Sequence, residues 1–252
     1  MRIKLTLEYD GTNYCGWQIQ PNGVTIQQVL EDAIFAVTGE KSTVTGSGRT
    51  DSGVHALGQV AHFDTSSSIP PERFAPALNS ALPSDVRVVK SELAANDFHS
   101  RFCAKKKTYA YKFYVSDALK PLTDRYAAFV SYPLDLIAMK NACELFTGTK
   151  DFRAFMATGS EVNDTVRTIY YTSVKLSDDG VFTFTVTGNG FLYNMVRIMA
   201  GTLVAVGEGK IPASNITKAF ETGDRKLLGK TMPARGLTLV SVEYPGENEQ
   251  NA

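Results

Sequence analysis

Residues Gly46–Asp64 read GSGRTDSGVHALGQVAHFD. The opening part, through the Val54–His55 pair, keeps neither a helical nor a two-residue hydrophobic period, so it is neither a core helix nor an ordinary strand. Gly46, Gly48 and Gly53 give the backbone freedom and let another molecule approach the main chain. Between them stand one cation, Arg49, and one carboxylate, Asp51, with Thr50 separating them. The run then becomes GQVAHFD, a strand pattern that would anchor the loop to a rigid sheet. A charged, glycine-flanked loop on a strand is a frequent seat of chemistry. The same residues also suit a tight turn with a surface Arg–Asp pair contributing about 0–1 kcal/mol.

Ahead of this loop, Arg2–Tyr9 alternates Ile3, Leu5, Leu7 and Tyr9 with Arg2, Lys4, Thr6 and Glu8, a half-buried strand. The polar loop DGTNYCGWQIQPNG follows and carries the only tryptophan, Trp17, either a packing anchor or a cleft-lining residue. Thr25 caps a helix with Gln28 at the capping-box position, and Gly39 ends it. After the glycine-rich loop, SSSIPPERF starts a second helix, capped by Ser67 or Ser68, with Phe74 and Leu78 inward. LPSDVRVVKSEL then turns into another strand.

Thr108–Val115 alternates strongly enough to be a strand, and Arg101, Lys105, Lys106, Lys107 and Lys112 make its neighbourhood the most basic stretch. Such a run is either a solvated face or, with aromatics interleaved, a nucleic-acid surface. If the strand reaches back far enough, Arg101, Lys105 and Lys107 share one side and Lys106 points opposite. Downstream come a short strand near 126–130, a helix with Pro133 near its start, and a hairpin around Asp178-Asp179-Gly180. A helix through MVRIMAGTLVAVG carries Arg197 near its first turns, off the apolar stripe. A cation there opposes the helix dipole unless an anion faces it. A helix near 214–221 and a strand over 237–244 close the chain. The second half therefore runs strand, helix, strand, strand, helix, strand, and the first half is similar: the split β-α-β plan, twice.

With 252 residues, 43% hydrophobic and 21% charged, the chain has an ordinary globular composition. Zero net charge excludes a protein coated in positive charge, so an RNA partner would need a local basic patch. Cys15, Cys103 and Cys143 are scattered and odd in number, which suits a reducing cytoplasm and forms no paired metal motif. No apolar run approaches the ~20 residues of a membrane span, so no membrane association is expected. His55 and His62, seven apart with no third clustered ligand, are poor metal ligands.

GRTDSGVHA closely resembles the signature of the TruA family of tRNA pseudouridine synthases. YDGTNYCGWQIQ, the KKKTYAYKF strand, DFRAF, NDTVRTI, the MVR helix and GLTLVSVEYP resemble further family motifs in the family's order. The resemblance implies an α+β fold: two ferredoxin-like halves sharing a broad, mostly antiparallel sheet with a central RNA-binding cleft. The expected division is 1–104, carrying the catalytic loop, then 105–245, completing the cleft, then a disordered tail over 246–252. The implied activity is isomerisation of uridine to pseudouridine at positions 38, 39 and 40 of the tRNA anticodon stem-loop, by a cytoplasmic homodimer.

By the same resemblance Asp51 is the catalytic carboxylate, and Arg197 is its ion-pairing arginine. Arg49 occupies the space left by the everted base, Tyr109 contacts the target base, and Leu237 packs on it. Arg101, Lys105 and Lys107 are expected on the RNA backbone. Ser47 and Ser52 stand where alanine is frequent, and Lys107 where arginine is frequent. The reaction breaks N1–C1′, turns the base over and rejoins it through C5. Nothing is oxidised or hydrolysed, so no cofactor or metal is expected. A glycosidase with an aspartyl nucleophile would need a second carboxylate near Asp51, and no motif places one there. A non-catalytic RNA-binding module would leave the Arg49-Thr50-Asp51 loop without a task and lacks the aromatic pattern of such modules.

Overall fold

The computed structural model describes residues 1–157, 159, 162 and 164–246. The tail expected over 246–252 lies, beyond Gly246, outside the described residues. The chain divides into two compact units, residues 1–105 joined by the C-terminal stretch from Leu239, and Lys106–Thr238. The class is the expected mixed α+β one, with helices on a large, mostly antiparallel sheet.

In the first unit the chain forms β1 (Arg2–Tyr9), α1 (Ile26–Thr38), β2 (Thr45–Gly46), β3 (His55–Asp64), α2 (Phe74–Asn79) and β4 (Val86–Ala94). Its strands lie in the order β4-β1-β3. The alternation in β1 has the expected result: Ile3, Leu5, Leu7 and Tyr9 are all buried. Ile26, Leu30, Ala33 and Ile34 of α1 are buried too, and Phe63 of β3 meets Phe74 of α2 edge-on at 5.5 Å. Each Ile, Leu or Phe among them contributes roughly 1.5–3 kcal/mol when fully buried. The Thr25 hydroxyl accepts from the Gln28 N–H at 3.3 Å, and Gly39 closes α1 at φ 74°, a left-handed conformation that favours glycine. Pairing of β1 with β3 slips by one residue between Leu7↔Gln59 and Tyr9↔Ala56. That bulge sits in β3 directly beside the glycine-rich loop.

Two local expectations change here. Neither Ser67 nor Ser68 caps the second helix: a short 3-10 turn, Pro71–Arg73, leads into α2 without a side-chain cap. Lys4, expected on a polar outer face, is buried. Its Nζ lies 3.1 Å from Glu92 and over the rings of Phe98 and Tyr244, so an ion pair and two aromatic faces replace its water.

The second unit contains β5 (Lys106–Val115), α3 (Pro121–Asp124), β6 (Ala128–Val130), α4 (Leu136–Glu144), β7 (Gly148–Asp151), β8 (Val166–Leu176), β9 (Val181–Gly188), α5 (Met195–Gly207) and α6 (Ser214–Thr222). The strand β10 (Leu237–Glu243) begins in this unit and ends in the first. Strands β5, β9, β8 and β7 follow one another in antiparallel pairs, and β6 runs parallel to β5. Asp135, two residues after Pro133, caps α4 by accepting from the N–H groups of Ile137 and Ala138. Strand β5 starts at Lys106, so Arg101 and Lys105 lie before it and the alternation argument reaches only Lys106 and Lys107. The chain over 99–103 is instead folded into turns, with Cys103 N–H donating to the His99 carbonyl at 2.9 Å. Among the described residues no helix is long and apolar enough to cross a membrane.

Candidate active site

The loop from Ser47 to Val54 joins β2 to β3, and its two legs are fixed from below. Gln59, fully buried on β3, donates from Nε2 to the Gly48 carbonyl at 2.9 Å and accepts from the Ser47 hydroxyl at 2.6 Å. Ser47 N–H donates to the Val60 carbonyl at 2.7 Å. The Ser47 side chain therefore adds a bond to the loop's first leg.

Thr50 is the pivot. It is buried, its hydroxyl pairs with Tyr9 Oη at 2.8 Å, and its carbonyl accepts from Trp17 N–H at 3.0 Å. Pulling Thr50 inward leaves Arg49 exposed and Asp51 half-buried on either side of it. Val54 N–H donates to the Asp51 carbonyl at 3.1 Å, closing a β-turn. Gly53 takes φ 76° in that turn, a position where a Cβ would be strained. Ser52 Oγ and Gly53 N–H both donate to the Tyr14 carbonyl, at 3.2 and 3.3 Å. Trp17 is buried against Gly46, so close that a Cβ at Gly46 would stand 2.5 Å from the indole. The tryptophan is thus a packing anchor of the loop.

His55 Nδ1 accepts from Gly11 N–H at 3.1 Å, which ties the loop's far end to the segment that follows β1. Asp10 Oδ1 lies 3.1 Å from the same nitrogen, an ion pair when the imidazole is protonated. Asp10 Oδ1 also accepts from the N–H and hydroxyl of Thr12. His62 is buried, accepts from Ser100 N–H at 3.2 Å, and has its pKa pushed down to about 4. Burial is the largest cause, followed by the charges of Arg2 and His99. Among the described residues no group of three His, Cys, Asp or Glu side chains is arranged to hold a metal ion.

In the second unit Arg197 is the third residue of α5. Its Nη1 donates to Asn194 Oδ1 at 2.6 Å and its Nε to the Met232 carbonyl at 2.7 Å. These two acceptors offset the poor dipole position and fix the guanidinium. Asn194 takes φ 60°, the one left-handed non-glycine among the described residues, and asparagine tolerates that conformation best. The loop that supplies Met232 is locked to α5 backbone against backbone. A Cβ on Gly201 would overlap the Lys230 carbonyl oxygen, and Gly229 N–H donates to Thr202 Oγ1 at 3.1 Å. The next carbonyl, Pro233, accepts from Tyr111 Oη at 2.7 Å.

Tyr109 of β5 is buried and meets Phe191 edge-on at 5.1 Å. Leu237 is buried at the start of β10, after the 3-10 turn Ala234–Gly236. Lys107 is half-exposed on β5, while Arg101 and Lys105 are exposed in the first unit. The structure therefore brings Arg49 and Asp51 together on one loop, with Arg101 and Lys105 in the same unit. Arg197, Tyr109, Lys107 and Leu237 belong to the other. The sequence assigns no part in the site to Asn194, Met232 or Gln59, and marks Tyr9 only as a buried strand residue. Only Asn194 left a usable trace, an asparagine at a helix start three residues before an arginine.

Residues 6–103 and 142–245 match the family model described as tRNA pseudouridine synthase. A protein named tRNA pseudouridine synthase A from Caldicellulosiruptor saccharolyticus is 48% identical over 242 residues, 96% of this chain and 99% of that one. Proteins of the same name from Acetivibrio thermocellus and Ruminiclostridium cellulolyticum are 49% and 47% identical over 243 residues, again 96% of this chain and 99% of theirs. Among solved structures, a chain from one titled "Crystal Structure of a Cbf5-Nop10-Gar1 Complex" aligns at 12% identity over 94% of this chain and 57% of its own, with a TM-score of 0.38. The match to the family model and near-complete coverage at close to half identity place this chain in the TruA family of tRNA pseudouridine synthases.

Proposed function

We propose that this chain isomerises uridines 38, 39 and 40 in the anticodon stem-loop of tRNA to pseudouridine, as a cytoplasmic homodimer. The observation that carries the reading is the Arg49-Thr50-Asp51 segment. A buried threonine pinned at both its hydroxyl and its carbonyl presents a carboxylate and a guanidinium on a loop that is otherwise tied down along its length. Family membership supplies the substrate class. The exact uridines, the dimer and the compartment rest on resemblance to the family.

In the reaction the N1–C1′ bond breaks and its electron pair leaves with uracil. An ionised Asp51 stabilises the cationic C1′ or bonds to it. Uracil departs as a delocalised anion, so no second carboxyl group is needed to protonate it. The base turns over and C5 bonds to C1′. The proton on C5 passes to a general base and on to water, and N1, freed from the sugar, gains a proton, so the product is an isomer. Arg197, pre-oriented by Asn194 and Met232, is proposed to keep Asp51 ionised against the desolvation that a bound base brings. Arg49, exposed on the loop, is proposed to fill the gap left in the RNA stack. Tyr109 is proposed to receive the flipped base by stacking. Leu237 packs beside it, and Arg101, Lys105 and Lys107 contact phosphates.

The direct test is unmodified tRNA carrying tritium at uracil C5. Isomerisation releases that tritium to water, and mapping then locates each pseudouridine. Release without pseudouridine at positions 38 to 40 would reject the anticodon assignment.

A further inference from the structure

Phe102 is 75% exposed, an unusual setting for a large aromatic ring held in fixed geometry. Its ring stacks on His99 with centroids 4.2 Å apart and planes 28° from parallel. The Arg101 guanidinium stands 5.9 Å from the Phe102 centroid, within cation–π range. The turn holding these groups is tied from several directions. His99 Nδ1 accepts from the N–H groups of Arg101 and Phe102, at 3.2 and 3.3 Å. Ser100, fully buried, donates from Oγ to the Thr45 carbonyl at 2.7 Å, and its own carbonyl accepts from Tyr244 Oη at 2.6 Å. Thr45 belongs to β2, the strand that runs directly into the Asp51 loop. The ring is thus a rigid platform with one face on His99, built onto the same element that carries the catalytic segment.

We infer that Phe102 stacks on an unpaired nucleobase of the tRNA substrate, other than the uridine being isomerised. The inference rests on the tRNA-isomerase reading. A flipped target base needs an enclosing pocket, whereas this ring offers an open face to a base that keeps solvent on its far side. Aromatic platforms beside cations are the usual means of holding single-stranded nucleic acid, because every base has a π-face. Arg101, beside the ring, and Lys105, three residues after Phe102 along the chain, are both exposed and suit phosphates next to the stacked base. The same charges disfavour a second copy of this chain as occupant. A two-fold contact centred on Phe102 would bring like cations together, while a polyanion neutralises them. Because the turn is already fixed, little ordering cost accompanies docking.

The experiment measures binding of unmodified tRNA to full-length wild type, Phe102→Leu and Phe102→Trp, with sedimentation of each protein alone. Leucine keeps the apolar surface and loses the π-face. Phe102→Leu is expected to weaken binding roughly 5- to 150-fold, the about 1–3 kcal/mol that one base–aromatic stack contributes. Phe102→Trp is expected to retain wild-type affinity, and its fluorescence to be quenched as tRNA is added, beyond any change from buried Trp17 in wild type. Equal affinity of Phe102→Leu and wild type, or an unquenched tryptophan in a bound complex, would overturn the inference. So would a change of oligomeric state in Phe102→Leu without tRNA, which would make the ring a subunit contact. A wild-type protein that binds tRNA but forms no pseudouridine would instead reject the isomerase reading and leave the stacking result to stand alone.

Discussion

Replacing Tyr9 by phenylalanine removes one oxygen, and the structure says what that oxygen does. Tyr9 and Thr50 are both buried, and their hydroxyls lie 2.8 Å apart. Tyr9→Phe leaves the Thr50 hydroxyl buried without this partner, at a cost of about 2 kcal/mol. Thr50→Val costs less, about 1 kcal/mol, because the Tyr9 hydroxyl also has Gln59 as a hydrogen-bonding neighbour. Removing both hydroxyls leaves no orphan at the pair, so the double variant should lose about 1.5 kcal/mol instead of the additive ~3. Catalysis should respond more sharply than stability, since Thr50 sets the place of Asp51. A displacement near 1 Å costs on the order of 100-fold in turnover, so Tyr9→Phe should lower kcat by about 10- to 100-fold. The affinity for tRNA should hold. Urea unfolding of the four proteins gives the cycle, and tritium release gives kcat. Additive stabilities, or an unchanged kcat in Tyr9→Phe, would refute the claim that this pair positions the loop. Burial pushes the Tyr9 hydroxyl up to about 12, so its contribution is complete below pH ~10 and is lost only as pH rises from there through about 12.

The remaining predictions concern three other places. Asn194→Gly keeps the left-handed backbone and removes the acceptor for Arg197, so kcat should fall with little change in unfolding free energy; Asn194→Ala should lose about 1 kcal/mol of stability as well. His62 has its pKa depressed by burial, so the stability it contributes is present above pH ~6.5 and is lost as pH falls toward about 4. Thermal unfolding of the wild type should show that loss over this window, and a wild-type Tm flat across it would refute the reading. Lys105→Ala and Lys107→Ala should each lower the log–log salt slope of tRNA binding by about one or less, whereas Lys106→Ala, whose ammonium stands over the Tyr170 ring, should leave it unchanged. Unchanged slopes for Lys105 and Lys107 would make the basic run a solvated surface.

What the sequence could convey was whatever depends on neighbours along the chain. The β1 alternation gave the buried set Ile3, Leu5, Leu7 and Tyr9, and Thr25 with Gly39 gave both ends of α1. Asp51 and Arg49 stood out because three glycines and two opposite charges in one short loop serve no core. The supports of that loop did not stand out, because they reach across long separations. Tyr9 and Thr50 are 41 residues apart, and Arg197 and Met232 are 35 apart. No periodicity records such a pair. Lys4 misleads for the same reason, since its burial depends on Phe98 and Tyr244. Strand β5 starts only at Lys106 because the preceding chain is turned at His99, whose bonds to Arg101 and Phe102 compete with strand extension.

Asp51→Asn is the most direct trial of the central claim, that one carboxylate on the loop between β2 and β3 drives the isomerisation. Asparagine keeps the side-chain shape and removes the charge at C1′. Tritium release and tRNA affinity should be measured on the same purified variant. Binding of tRNA should be retained, with release at background. Pseudouridine formed by Asp51→Asn at more than a trace rate would contradict it.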